Sequence, residues 1–259
     1  SKQLTFARYM PLSEQYSKNP LNNQSQKNMV GFIKVLFMKR LESGIAAFKK
    51  TINTAVTIHQ QIVKTLKEKK VFYTSKSYIK KIYELMENDD LDAIEEMINE
   101  GKEIKAYAKS EFKPAFIRDI KHDLELLKYV QDLWEDIIEY PKNEKLIELL
   151  KTDEFKDKKV ILFTEFVDTA DFLEAKIKEE LTPRVMKYTG NSKKDLHEII
   201  IKNFDANVSD EKQEDDYDIL IATDVLSHGV NLHRSNIIIN YDIPWNPTKI
   251  MQRVGRVER

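Results

Sequence analysis

The residues of this chain best suited to chemistry lie near position 259, in Gln252-Arg253-Val254-Gly255-Arg256-Val257-Glu258-Arg259. On a helix Arg256 and Arg259, three apart, share a face, and Gln252 lies four before Arg256 on that same face. Two guanidiniums side by side repel unless an anion lies between them. Their planar forks of donors suit the equatorial oxygens of a transferring phosphoryl group. A solvated basic helix end would account equally well for any one of these arginines. A second stretch, Ala222-Thr223-Asp224-Val225-Leu226-Ser227-His228-Gly229-Val230-Asn231-Leu232, offers a hydroxyl, a carboxylate, a glycine and an amide directly after an apolar run. Such groups suit phosphate and sugar oxygens, although a strand end with an Asp cap and a Gly turn would read the same way.

Short apolar runs must position these groups. Val160–Phe163, Arg184–Met186, Ile219–Ala222 and Ile237–Ile239 are β-branched runs without polar alternation, as expected of parallel strands covered on both faces. Helical patterns separate them, over Asp168–Leu181 and, after a Ser192/Asp195 capping box, over Lys193–Phe204. The polar stretch Asp205–Asp218 reads as a loop. The alternation predicts an α/β fold, a doubly wound parallel sheet with right-handed crossovers over 151–259, its ligands gathered at the carboxyl ends of the strands.

Upstream the texture is helical. Leu41, Ile45, Phe48, Ile52, Val56, His59, Val63 and Leu66 recur at spacings of three and four, which predicts one apolar stripe about seven turns long. A second stripe runs through Phe116, Ile120, Leu124, Leu127 and Trp134 to Ile137 or Ile138. The two predict a long helical hairpin or small bundle over 28–150. Between them an acidic segment from Glu84 to Glu103 is expected to be a solvated tip with a short helix at Leu91–Asn99. Residues 1–27 read as an extended linker, and His59, on the stripe, as a packed core histidine.

Composition narrows the chemistry. The chain has 259 residues, 42 Lys and Arg against 43 Asp and Glu, and no Cys. Thiolate metal sites, Cys nucleophiles and disulfides are excluded. The five His show no metal-ligand spacing, so no metal site is expected. The near-zero net charge supplies no overall basic field, so any nucleic-acid contact must come from local patches. No run of about 18 apolar residues and no leader pattern is found, and a soluble, cytoplasmic protein is expected.

Order and joint occurrence go further than any one stretch. Gln252–Arg259 matches Gln-Arg-x-Gly-Arg-x-x-Arg at every fixed position and resembles motif VI of superfamily 2 helicases. Ile219–Leu232 resembles motif V, Val160–Phe166 resembles motif IV, and Lys187-Tyr188-Thr189-Gly190 resembles a segment that meets a nucleic-acid backbone. Asp242-Ile243-Pro244-Trp245-Asn246-Pro247 resembles the Asp-x-x-Trp-Asn-Pro segment of the Swi/Snf-type branch. Lys39–Ser43 with Ala47-Phe48 resembles the lobe-joining helical region of bacterial Swi/Snf-like proteins. The resemblance covers 150–259 and leaves the charged helices between Thr65 and Tyr140 without a match.

That resemblance implies a second RecA-like lobe. Arg256 and Arg259 would be arginine fingers and Gln252 a coupling residue of the cleft. Asn231, where many relatives carry Asp, would lie near the ribose, with Gly229 and Asp224 beside it, Asp224 ordering the loop. Thr164, Thr189, Gly190 and Thr223 would touch a nucleic-acid backbone. Trp245 is expected to anchor packing rather than to stack on bases, and His228 and His233 to be surface groups. No Gly-x-x-x-x-Gly-Lys-[Ser/Thr] and no Asp-Glu-x-His box occurs. The cradle for ATP and Mg2+ would therefore belong to a first RecA-like lobe, and the chain alone is expected to have no ATPase activity. The function implied is ATP-driven translocation on double-stranded DNA by a monomeric motor. A strand-separating DNA or RNA helicase and a non-catalytic interaction module are the alternatives.

Overall fold

The computed structural model describes residues 3–20, 23–74, 105–137, 140–190, 192, 195–227 and 231–257. They divide into two compact units, one of Ser1–Leu41 with Phe48–Ile138, the other of Glu42–Ala47 with Glu139–Arg259.

The first unit is helical. Helix α1 spans Asn23–Ser43, α2 Ile45–Glu68 and α3 Pro114–Glu135, the last opened by its proline. A two-stranded antiparallel ribbon joins α2 to α3, β1 (Val71–Thr74) pairing with β2 (Lys105–Ala108). The expected acidic tip and its short helix lie outside the described residues. The apolar stripes do face each other, Phe48, Ile52 and Val56 of α2 packing with Leu127 of α3. Beyond them Phe112 stacks on Phe116 at 4.5 Å, and Phe72 meets both rings edge-on.

Two expectations are corrected here. The N-terminal stretch is not a free linker, because Ala7, Leu12 and Tyr16 are buried in this core. Two carboxylates one turn apart on α3 hold it. Asp123 accepts from the Thr5 amide and hydroxyl and the Ala7 amide, at 2.6, 2.8 and 3.2 Å. Asp119 accepts from the Tyr16 hydroxyl at 3.0 Å. The stripe from Leu41 is likewise not one helix, since α1 ends at Ser43 and α2 begins at Ile45. A helix can end only where its last carbonyls find donors. Lys142 Nζ supplies one, reaching the carbonyl oxygens of Glu42 and Ser43 at 2.9 and 3.3 Å.

His59 is packed, 3% exposed, with Nδ1 2.7 Å from the Ala55 carbonyl. Burial lowers its pKa to about 4, and the charge of Arg8 pushes the same way. The unfolded chain therefore binds the proton first, and the stability this neutral ring contributes is complete above about 6.5 and lost as pH falls towards 4. Up to about 3 kcal/mol is at stake in that window. Asp123, raised by burial, works in the opposite direction, so the comparison must be with a variant. With Trp245→Phe as background, Trp134 fluorescence reports this unit alone, since the chain has two Trp. Wild type is expected to lose urea resistance between pH 6.5 and 4, and His59→Gln to lose much less. Parallel pH profiles would show that His59 does not control the effect.

The second unit is a doubly wound α/β domain. Four strands, β3 (Val160–Phe163), β4 (Val185–Tyr188), β5 (Ile219–Ala222) and β6 (Ile237–Asn240), form one parallel sheet in the order β4-β5-β3-β6. Helices α4 (Pro141–Leu150) and α5 (Val167–Glu180) cover one face, packing on Val160, Leu162, Val185, Ile219 and Ile221. The other face, with Ile161, Phe163, Met186 and Leu220, receives α6 (Asp195–Phe204) through Ile200 and Phe204. Helix α4, expected in the preceding domain, thus belongs to this one. Burial on both faces is why the strands read as unbroken apolar runs.

Candidate functional site

The register of the sheet places three threonines in one row. Phe163 pairs with Ala222, Ala222 with Tyr188, and Phe163 with Asn240. The next residues, Thr164, Thr223, Thr189 and Tyr241, therefore stand side by side at the carboxyl ends of the strands, about 4.8 Å apart. The ladder continues into this row, Thr164 N donating to Ala222 O at 3.0 Å, Thr223 N to Tyr188 O at 3.2 Å and Tyr241 N to Phe163 O at 2.8 Å. The three threonines are buried but differently occupied. Thr164 donates to Asp242, and the Thr189 amide donates to Ser192 Oγ at 2.8 Å. The Thr223 hydroxyl has no partner among the described residues. Gly190 follows in the turn after β4 and is exposed.

Asp242, 6% exposed, organises this end of the sheet. Its Oδ2 accepts from Ser43 Oγ at 2.9 Å, from the Glu165 amide at 3.0 Å and from the Thr164 hydroxyl, and its Oδ1 from Lys142 Nζ at 3.0 Å. Ser43 also shares a 2.7 Å hydrogen bond with the Thr169 hydroxyl. Lys142 lies 3.9 Å above the Tyr241 ring, whose hydroxyl donates to Asn143.

On the other side Arg253 is fully buried on helix α7 (Pro247–Val254). Asn246 caps that helix by accepting the Thr248 amide at 3.0 Å, and Pro247 opens it, so the Asn-Pro pair of the Trp-Asn-Pro segment is a helix start. Nε of Arg253 donates to Asp224 Oδ1 at 2.7 Å, with Nη2 2.6 Å from the same oxygen. Nη1 reaches Asn240 Oδ1 at 2.9 Å and the Asp242 carbonyl at 3.1 Å, and the guanidinium lies 5.1 Å above the Phe163 ring. Lys249, one turn earlier, meets Asp224 Oδ2 at 3.1 Å. Asp224 is thus held by two cations from α7, which fixes the loop after β5.

Arg256 departs from the helical expectation. Helix α7 ends at Val254, and Arg256 sits in the turn beyond Gly255. A Cβ on Gly255 would come within 3.2 Å of the Met251 carbonyl, so only glycine closes this turn without displacement. The Arg256 carbonyl accepts from the Leu232 amide at 2.8 Å, and His233 Nδ1 lies 3.3 Å from the Val257 carbonyl. The segment carrying Asn231 therefore runs beside Arg256. Asn231 is exposed, and Arg256 is half-buried and forms no ion pair among the described residues. Gln252 is exposed on α7. Gly229, His228 and Arg259 lie outside the described residues. Trp245, expected as a packing anchor, is 59% exposed, and Ile243 is 71% exposed.

Residues 141–259 match the family model described as helicase conserved C-terminal domain. Over these residues the chain is similar to helicase C-terminal domains. Among curated relatives, an uncharacterised ATP-dependent helicase of Bacillus subtilis, YqhH, is 30% identical over 118 residues, 46% of this chain and 19% of that protein. The ATP-dependent RNA helicase uap56 of Schizosaccharomyces pombe is 33% identical over 121 residues, 47% of this chain and 25% of that protein. The chain thus spans a fifth to a quarter of the length of these relatives. Among solved structures, the C-terminal part of the Fun30 ATPase domain is 24% identical, with a TM-score of 0.40, covering 56% of this chain and 48% of that one.

Within the second unit the residues that sequence reasoning passed over are Arg253, Asp242, Lys142 and Ser43. The signal was present for three of them. Arg253 is a fixed position of the motif VI pattern, Asp242 opens the Asp-x-x-Trp-Asn-Pro segment, and Ser43 closes Lys39–Ser43. None could be assigned from spacing, because Ser43 and Asp242 meet across 199 residues.

Proposed function

We propose that this chain supplies the second lobe of an ATP-driven nucleic-acid motor. The joint fixing of the motif V and motif VI segments by the Arg253–Asp224 pair supports the reading. It holds Thr223 at the sheet edge while the Leu232–Arg256 bond sets Asn231 beside Arg256. Donors of this kind, an exposed amide and a guanidinium with no counter-ion among the described residues, fit a nucleotide's sugar and phosphate oxygens. Arg256, with Arg259, would stabilise charge on the transferring phosphoryl group, Gln252 would couple the cleft, and Gly229 would let the backbone approach. ATP and Mg2+ would be cradled by a P-loop lobe, and the 259 residues alone would not hydrolyse ATP.

The threonine row would grip the phosphate backbone. The Thr223 hydroxyl, without a partner among the described residues, would donate to a phosphate oxygen, with Thr189 and Gly190 beside it and Thr164 next in the row. Lobe closure and reopening, biased by the nucleotide, would make that grip cyclic and so produce stepping. The Asp-x-x-Trp-Asn-Pro segment supports a Swi/Snf-type motor tracking double-stranded DNA, which we take to work as a cytoplasmic monomer. The relatives named as RNA helicases support strand separation on RNA as the second reading.

The test is ATP hydrolysis by the protein working with its P-loop lobe, without nucleic acid and with duplex DNA, single-stranded DNA or RNA. Arg256→Ala is expected to lower the stimulated rate by about 10³-fold or more. Stimulation by duplex DNA supports translocation, and stimulation by RNA or single strands supports unwinding. A variant as active as wild type would remove Arg256 from the reaction.

A further inference from the structure

Lysines crowd one end of the helical unit. Lys64 and Lys67 lie three apart on the last turns of α2, Lys69 and Lys70 close that helix, and Lys109 follows β2. All five are exposed. Backbone bonds bring them together, Lys109 N donating to Lys70 O at 2.7 Å and Lys69 N to Thr65 O at 2.9 Å. Among the described residues none of the five forms an ion pair. Elsewhere Lys142, Lys159, Lys176, Lys178, Lys187, Lys202 and Lys249 are each paired with a carboxylate. The nearby acids do not neutralise the cluster. Glu111 is turned back to accept the Ala108 amide at 2.7 Å, which leaves Glu68 as the one nearby acid among the described residues.

A helix C-terminus favours cations, which accounts for Lys64 and Lys67. It does not account for Lys70, whose φ of 55° lies in the left-handed region. Glycine is the default residue there, and a side chain with a Cβ costs on the order of 1 kcal/mol. Lys70 thus presents a charge at a position where folding alone favours glycine.

We infer that this end of the helical unit is a second contact for a nucleic-acid phosphate backbone, independent of sequence and separate from the threonine row. Five ammonium groups on flexible stems, without an ion pair among the described residues, repel one another when free. A polyanion relieves that repulsion while releasing its own counter-ions, so the contact depends steeply on salt. The chain's net charge of −1 gives no general attraction, which makes a local patch necessary for any such contact. The inference rests on the reading that the chain works on nucleic acid.

The experiment measures binding of the 259-residue chain to labelled duplex DNA and to RNA across a salt series. The variant combines Lys64→Gln, Lys67→Gln, Lys69→Gln, Lys70→Gly and Lys109→Gln. Each phosphate that is no longer neutralised takes about 0.9 off the slope of log K against log salt on duplex DNA. The slope is expected to fall by about 3 or more, given that most of the five lysines each meet a phosphate. Lys70→Gly alone is expected to lower it by about 1 without lowering the melting temperature. An unchanged slope beside normal wild-type binding overturns the inference and leaves the motor reading intact. So does a loss of binding confined to Thr223→Val, or a lysine effect seen only on anionic phospholipid vesicles. Loss of the slope in a protein whose ATP hydrolysis ignores nucleic acid sinks the motor reading and leaves this contact standing.

Discussion

Replacing Asp242 with alanine is expected to destabilise the α/β domain by about 3–5 kcal/mol, read as a lower urea midpoint in far-UV circular dichroism. The carboxylate is 6% exposed and accepts from Ser43, Thr164, the Glu165 amide and Lys142. Alanine strands a fully buried threonine hydroxyl and a half-exposed ammonium group together. A donor left unsatisfied away from water costs more than an average hydrogen bond contributes. Asp242→Asn is expected to fall between wild type and alanine, since one amide oxygen can still accept but the amide nitrogen would face Lys142. Ser43→Ala removes one donor and is expected to cost about 1 kcal/mol. An alanine variant within about 1 kcal/mol of wild type would mean that water replaces the carboxylate, and that Asp242 does not organise the end of the sheet.

The second large effect concerns Arg253. Its methylene stem and guanidinium are fully buried, so Arg253→Met keeps much of the volume and removes every donor. Asn240 Oδ1 and the Asp242 carbonyl then lose a donor, and Asp224 loses one of the two cations that α7 offers it. A loss of about 3–4 kcal/mol is expected, tempered because Asp224 is 23% exposed and water can reach it. Arg253→Lys retains the charge but not the fork and is expected to cost about 2 kcal/mol. A double-mutant cycle with Asp224→Ala isolates the pair, with a coupling of about 1–3 kcal/mol expected. Additive single effects would show that the two segments are held by packing instead. If the chain works in the proposed ATP-driven motor, Arg253→Met is also expected to reduce ATP hydrolysis, because the turn that sets Arg256 begins two residues later. Restoration of both stability and rate by lysine would separate positioning from direct contact.

Much of the fold was legible because burial on both faces leaves a local trace. A parallel strand covered above and below reads as Val160-Ile161-Leu162-Phe163 wherever its partners lie, and a helix that buries one face repeats every three or four residues, as from Phe48 to Leu66. The motif segments were legible for a related reason: the order of Thr164, Thr189, Thr223 and Arg256 along the chain follows the order of strand ends. The ribbon of β1 and β2 was not, since each strand has four residues and they are separated by thirty (75–104). The end of α1 at Ser43 was not legible either. The donor that satisfies its carbonyls is Lys142, about one hundred positions away.

The sequence by itself determined which residue types stand at the carboxyl ends of the strands, and that arginines follow them. Those are properties of contiguous segments, set by apolar periodicity and by residue order. Only the tertiary structure decided that Arg253 is a buried clamp while Arg256 lies in a turn without a counter-ion among the described residues, although both are arginines three positions apart. It alone brought Ser43, Lys142 and Thr164 to one carboxylate of Asp242. Burial and hydrogen-bond pairing across a hundred residues are settled by how the sheet and its helices close on one another, and no local pattern carries that information.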